Sequence, residues 1–554
     1  LDIHTTCKEE KTMFRNLRIW GVLVVLGMLV GLAAACAPAA PPPAEEVDFI
    51  FAQGADATKT DPTDVTDGES IRVCNQLYDG LVRFEPGKTT VEPNLATEWT
   101  TSDDGLMWEF KLREDVKFHD GTPFNADAVV YNAMRQLDPD HPEHTGVFEY
   151  WEYMFGGFLG DVDDDGNPTS VVKSVEAVDE YTVRFNMNRP LGPFIQDMAM
   201  FYMYQISPTA LEEQGENYGL PAYTPAGTGP FKFVEWVEGD HITLERYDDY
   251  HGEVAKVNRV IIRIIPDNAA RYLALQAGDI HGMGFPNPDD VPNCEADENC
   301  QVLLRPPNTT AFINIMTDRE PWDDPNVRKA LSLAMDKQAI VDSLYGGLGV
   351  VANQFVPPSL WGHNPDLEDF GYDPDEARRL LQEAGVEEGF TFDFWYMPNP
   401  RPYYPVPEDI AEAIASYWAD VGLDPQLKTE DWSTYLDDRN AGVFDIWMIG
   451  WTGDNGDPDN FFCYFVCIPK PREGNWNTEK AQEAIDLLLE AQALSSQAER
   501  EPLYQQAAVL VQEDVARLFI AHNETALLFN PNVRGFVPSP LGEEFYNSVY
   551  FEEG

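Results

Sequence analysis

The sequence predicts a mixed α/β protein of two or three domains, and three observations carry that expectation. Even without its first 35 residues, a chain of 554 is too long for a single hydrophobic core. Its first half is rich in short strand-like runs, such as Trp108 to Leu112, Tyr181 to Met187 and His241 to Tyr247, with turn signals at Asp104-Gly105 and Asp120-Gly121. Its second half alternates helical and strand patterns, the signature of an α/β lobe with a partly parallel sheet. Such sheets bind ligands where strand ends meet loops at a crevice.

The helices are read from caps and periodicity. Asp324-Pro325 opens one as N-cap and first-turn proline, and Val327, Ala330, Leu331, Ala334, Val341 and Leu344 mark its apolar face. Asp373-Pro374 opens another, with Glu376 in the capping-box position and Gly385 as its stop. A third runs from Ile410 to Val421 and ends at Gly422. Thr391 to Met397 and Phe444 to Gly450 supply strands between them. Two late strands, Arg517 to Asn523 and Thr525 to Phe529, are read as carrying the chain back toward the first lobe.

The N-terminus reads as an export signal over residues 1–35, with 1–12 as an upstream extension before Met13. Arg15 and Arg18 precede an apolar stretch from Ile19 to Leu32, then Ala33-Ala34-Ala35 and Cys36. That stretch falls short of the roughly 20 residues that span a bilayer. Small residues before a cysteine resemble the lipobox of bacterial lipoproteins, which makes Cys36 the lipidation site; an ordinary cleaved signal is the alternative. Residues 36–47, with their Pro/Ala run, form a semi-extended tether. The body is then extracytoplasmic and anchored to the cell membrane by lipid, and no second apolar run is long enough to cross a membrane.

With 37 basic and 95 acidic residues, the net charge of −58 argues against nucleic acid, whose phosphates need Lys and Arg. Acidity of this degree suggests adaptation to salty surroundings. Of seven cysteines, Cys7 lies before Met13 and Cys36 is the lipid candidate. Cys294 and Cys300, flanking a short acidic loop, are the first disulfide candidate, and Cys463 with Cys467 the second. Cys74 remains.

The run from Trp451 to Phe461 (WTGDNGDPDNF) packs Asp454, Asp457 and Asp459 with two glycines directly after a strand. Carboxylates in that position can meet a cation or an ammonium in a partly desolvated cleft. Composition alone favours a surface turn. Asp161 to Val172 has Asp at positions 1, 3 and 5 and Gly at 6 of an EF-hand-like loop, but Val172 stands where a Glu is needed, so an acidic hairpin is favoured over calcium binding. Without HExxH, CxxC or GxSxG strings, neither zinc nor nucleophilic catalysis finds support: no metal, no cofactor and no enzyme activity is expected.

Several strings together resemble the extracytoplasmic solute-binding proteins of the peptide/nickel ABC-importer family. They are YDGLVRFEPG (Tyr78 to Gly87), EPNLATEW (Glu92 to Trp99), the long segment Asp103 to Arg135, PAGTGPFKF (Pro225 to Phe233), ALQAGDI (Ala274 to Ile280), Val327 to Val341 and Tyr372 to Gly385. The resemblance implies a two-lobed periplasmic-binding-protein type II fold with an extra subdomain in the first lobe. On this sequence that gives residues 48–305 to lobe I, 306–522 to lobe II and 523–554 to a return into lobe I, the lobes closing on ligand about two crossing segments.

Within the family, RPYYP (Arg401 to Pro405) followed by GWTGDNGDPDNFF is most similar to the dipeptide-binding members. The resemblance implies that Arg401 pairs with a ligand carboxylate and Asp454 with its α-ammonium. The chemistry suits them: a guanidinium matches a carboxylate bidentately, and a carboxylate accepts several ammonium hydrogen bonds. Tyr403, Trp451 and Trp432 are expected to wall the cleft, with Gly453 counted among the contacts. Asp457 and Asp459 are expected to brace the loop. From the first lobe, the family contributes contacts near Ala52 to Thr60. The implied function is capture of dipeptides or short oligopeptides by a monomeric receptor and delivery to an ABC permease and ATPase complex. Oligosaccharide, nickel chelate or haem are alternatives within the fold. A hydrolase using Asp454 and Asp457 and a sensor presenting its closed form to a signalling partner are alternatives outside it.

Overall fold

The computed structural model describes residues 47–552 apart from 164 and 468–470. The export signal, Cys36 and the Pro/Ala run lie outside the described residues.

Two mixed sheets organise the chain, each over its own apolar core. The first has seven strands in the order Gln301–Arg305, Thr525–Phe529, Gly282–Gly284, Asp48–Gln53, Arg259–Ile264, His241–Arg246 and Phe231–Val237. Asp48–Gln53 lies parallel to both of its neighbours, and the outer pairs are antiparallel. A separate four-stranded antiparallel sheet, Ala96–Thr101, Met107–Leu112, Thr182–Met187 and Val172–Asp179, lies in the first half of the chain. The second large sheet has six strands, ordered Gly349–Val351, Arg517–Asn523, Thr309–Ile315, Ile446–Thr452, Phe390–Trp395 and Leu423–Lys428. Phe390–Trp395 is parallel to both neighbours, so this sheet is partly parallel, while Thr309–Ile315 runs antiparallel to both of its own. Trp451 packs against both cores.

The chain passes between the two large sheets at Arg305 to Thr309 and again at Asn523 to Thr525. The two passages are laced together: the Thr309 hydroxyl donates to the Asn523 carbonyl at 2.9 Å, and the Asn523 amide donates to the Pro402 carbonyl. Only one of the two late strands leaves the second sheet. Arg517–Asn523 stays there beside Thr309–Ile315, and Thr525–Phe529 pairs in the first sheet.

Local capping sets the helices. The Asp324 carboxylate accepts from the Asn326 N–H and starts helix Pro325–Ala334. The single helix expected through Leu344 is two helices. Met335 takes an extended conformation, and Asp336 accepts from the Ala339 N–H to begin Lys337–Leu344, so a second cap interrupts an apolar face that continues across the break. Asp373 caps Pro374–Glu383 through the Glu376 N–H. The third helix, Pro407–Asp420, begins three residues earlier than its periodicity suggests because Pro407 supplies the first turn.

Disulfides join Cys294 to Cys300 and Cys463 to Cys467, and Cys74 is free and buried. Within the Asp161 to Val172 run, the Asp163 carboxylate accepts from the Asn167 N–H and side chain, and Val162 bridges to Pro168. No group of three or more His, Cys, Asp or Glu able to hold a metal occurs among the described residues. Nor is any of their helices long and apolar enough to cross a membrane.

Candidate ligand-binding site

A cleft partly open to solvent runs between the two halves. Thr66 to Glu69, Arg72 and Tyr150 line it from the first half, and Arg401, Tyr403, Trp432, Trp451 and Asp454 from the second. Five of the six residues singled out from sequence therefore meet in one space.

Gly453 does not line it. Its N–H donates to the Asn308 carbonyl and its carbonyl accepts from the Asn308 side chain, both at 2.8 Å. A Cβ at 453 would come within 2.5 Å of the Phe461 ring. Gly453 is a close-packing point that ties the loop to the passage between sheets, with no polar group left for a ligand. Gly450 serves the aromatic wall in a similar way, since a Cβ there would lie 2.3 Å from the Tyr403 ring.

Beyond Gly453 the acidic run divides. Asp457 caps the short helix Pro458–Phe462 and is held bidentately by Arg500, both bonds 2.7 Å and both side chains buried. Asp459 accepts from the Gln492 amide and the Tyr504 hydroxyl; burial, then the neighbouring Asp457 charge, push its carboxyl up to about 6. Asn455 reaches across to the other half, donating to Asp197 at 2.8 Å. These groups build the loop.

Asp454 alone of the three carboxylates faces the cleft. Its carboxylate accepts from the Tyr150 hydroxyl at 3.1 Å and the Asn460 amide at 3.4 Å, and Asn460 also holds the Asp454 N–H and the Trp451 indole N–H. No cation pairs with it among the described residues. Desolvation pushes its carboxyl up to about 7, offset only in part by the Asn460 and Tyr150 hydrogen bonds.

Arg401 sits in a tight turn, exchanging two 3.0 Å backbone hydrogen bonds with Tyr404. Its buried guanidinium lies over the Trp432 ring at 4.1 Å, and Nη1 donates to Glu69 Oε2 at 2.9 Å. The remaining edge, Nε and Nη2, is buried with no hydrogen-bond partner. That edge is the fork with which Arg305 holds Glu544 in this same protein, at 2.5 and 2.7 Å. Burial lowers the Arg401 pKa, but attraction to Glu69 more than restores it, so the group stays charged.

Glu69, Arg72 and Tyr150 escaped sequence reasoning, and the first-half segment looked to instead, Ala52 to Thr60, is not part of the lining. Gln53 lies behind the cleft, accepting from Arg72 Nη1, and Thr60 bonds to Gly219. Glu69 stands in the first turn of helix Gly68–Leu77, capped by Asp67, where an acidic residue is ordinary helix chemistry. Nothing in its local sequence marks it as facing Arg401.

The family model of bacterial extracellular solute-binding proteins, family 5, matches residues 90–468. The chain belongs to this family. This solute-binding protein is 36% identical over 489 residues to the dipeptide-binding protein of Escherichia coli, a match covering 86% of the chain and 89% of the relative. It is 34% identical over 514 residues to heme-binding protein A of Haemophilus influenzae, covering 90% and 92%. Its fold matches that of the ABC transporter-associated periplasmic binding protein DppA from Helicobacter pylori in complex with peptide STSA. The TM-score is 0.82 at 29% identity, over 92% of the chain and 99% of that structure. The two halves are thus the lobes of a two-lobed periplasmic binding protein. Solute-binding proteins bind their cargo without transforming it, so this one is not an enzyme. The Asp454–Asp457 hydrolase alternative also fails on geometry, because Arg500 occupies both oxygens of Asp457.

Proposed function

We propose that this solute-binding protein captures short zwitterionic peptides, dipeptides first, between its lobes and hands them to an ABC permease. One observation carries the reading: a buried arginine fork without a partner and a carboxylate without a cation line the same cleft. A peptide's terminal carboxylate satisfies Nε and Nη2 of Arg401, and its α-ammonium keeps Asp454 ionised. Tyr403, Trp432 and Trp451 wall the space between. Because Arg401 and Asp454 belong to one lobe while Glu69 and Tyr150 belong to the other, a bound peptide favours the closed arrangement of both. The dipeptide-binding relative and the similar structure in complex with the peptide STSA support the same class. The reading extends to a monomeric, extracytoplasmic receptor with lobes over 48–305 and 306–522, a return over 523–554, and a lipid anchor at Cys36.

Calorimetry with a free dipeptide and its N-acetylated form tests it. The acetylated form is expected to bind at least a hundredfold more weakly, since it cannot give Asp454 the charge-assisted hydrogen bonds of an ammonium. Equal affinities would remove the ammonium role of Asp454.

A further inference from the structure

Glu69 has a place in this cleft that ligand chemistry alone does not require. It comes from the opposite lobe, is buried, and contacts one nitrogen of Arg401 only. Burial pushes the Glu69 carboxyl up, but Arg401 and Arg72 together hold it below its ordinary value, so it carries its charge at neutral pH. Trp432 fixes the plane of the guanidinium from one face. Fixing a plane leaves rotation within it, and the Nη1–Glu69 hydrogen bond is the polar contact that sets that angle. Arg401 also borders a small side space with Phe285, Pro286, Pro402 and Thr525, beside the passage between lobes.

We propose that Glu69 is the positioning residue for carboxylate recognition, resting on the reading of Arg401 given above. By holding Nη1, it keeps the guanidinium turned so that the Nε/Nη2 fork is presented to the main cleft. The arrangement also ties recognition to closure, since the fork is oriented only when the lobe carrying Glu69 has arrived. The ligand class follows: one monoanionic planar carboxylate at this end, taken by the fork on the edge that Glu69 leaves open.

The test compares a dipeptide with its C-terminal amide by calorimetry on the wild type, Glu69→Ala and Glu69→Asp. The Asp variant keeps charge at the helix start and shortens the reach by one methylene, which keeps the test open should the Ala variant fail to fold. The wild type is expected to prefer the free acid, and the acid-to-amide affinity ratio to fall about tenfold or more in each folded variant. A residue that merely latches the lobes would weaken both ligands alike and leave that ratio unchanged, and an unchanged ratio overturns the inference. Should the wild type bind acid and amide equally, the carboxylate role of Arg401 falls and this inference with it. Should neither peptide bind the wild type, the peptide reading itself is what fails, and the inference that rests on it falls too.

Discussion

Arg500 grips Asp457 through two 2.7 Å hydrogen bonds at the base of the loop that presents Asp454 to the cleft. The two carboxylates are near neighbours in sequence with opposite electrostatic situations, one fully compensated and the other not. Removing one partner of a buried pair leaves the other uncompensated, at a cost of roughly 3–5 kcal/mol. Asp457→Asn is therefore expected to lower unfolding free energy by about 3 kcal/mol, read by urea denaturation. Asp454→Asn is expected to do the reverse at pH 8, raising ligand-free stability while abolishing dipeptide binding. A loss of stability in both variants would show that the run is scaffold throughout.

Asp454 also makes binding depend on pH, with a sign that can be worked out. Its folded value of about 7 lies above the ordinary 3.8, so between the two the folded protein keeps a proton that the unfolded chain has released. Stability from this group is full below about 4 and is lost as pH rises through about 7. An ammonium ligand needs the ionised form, so binding below 7 expels that proton. Tyr150 and Glu543, the titratable groups near it, are pushed well above their ordinary values by burial. Affinity is expected to improve about tenfold per unit from pH 5 to 7 and then level off. Calorimetry at pH 6 in buffers of different ionisation enthalpy should detect the released proton; an affinity that does not change between pH 5 and 7 would remove Asp454 as the titrating group.

What was legible in the sequence depended on how local the cause is. Asp324 and Asp373 announce their helices because a cap needs one side chain and the next few N–H groups. The break at Met335-Asp336 was hidden because the apolar period runs straight across it. Arg517–Asn523 and Thr525–Phe529 are both buried along their whole length, and only their distant partners, Thr309–Ile315 and Gln301–Arg305, sort them between sheets. Within the site, Arg401 and Asp454 stand in recognisable strings. Glu69 does not, since its role arises from packing between lobes more than three hundred residues apart. Gly453 sits in a recognisable string too, yet its neighbour Asn308 uses up both of its polar groups.

The Arg401 fork is a geometric requirement as well as a charge. Arg401→Lys keeps a cation, but a lysine ammonium cannot lie flat on Trp432 or offer two parallel donors. Arg401→Lys and Arg401→Ala are both expected to weaken dipeptide binding by a hundredfold or more, with Lys recovering less than tenfold of the loss. Binding restored to near the wild-type level by Lys would mean that charge alone is read at this end. Circular dichroism and thermal melting on the same samples separate lost binding from lost fold.

Salt should act on the surface and leave the buried pairs largely untouched. A net charge of −58 over 554 residues means that most exposed carboxylates repel one another in the compact state. The buried pairs Arg135–Asp61, Arg305–Glu544 and Arg500–Asp457 are desolvated and weakly screened. Raising sodium chloride from about 0.1 M to about 1 M shortens the Debye length from about 10 Å to about 3 Å, which removes most of the surface repulsion. The melting temperature is therefore expected to climb over this range, by on the order of 5 °C. Dipeptide affinity, governed by a desolvated site, should change less than tenfold over the same range. A melting temperature that stayed flat or fell would show that the exposed acids are already spaced beyond effective repulsion, and the inference of adaptation to salt would go with it.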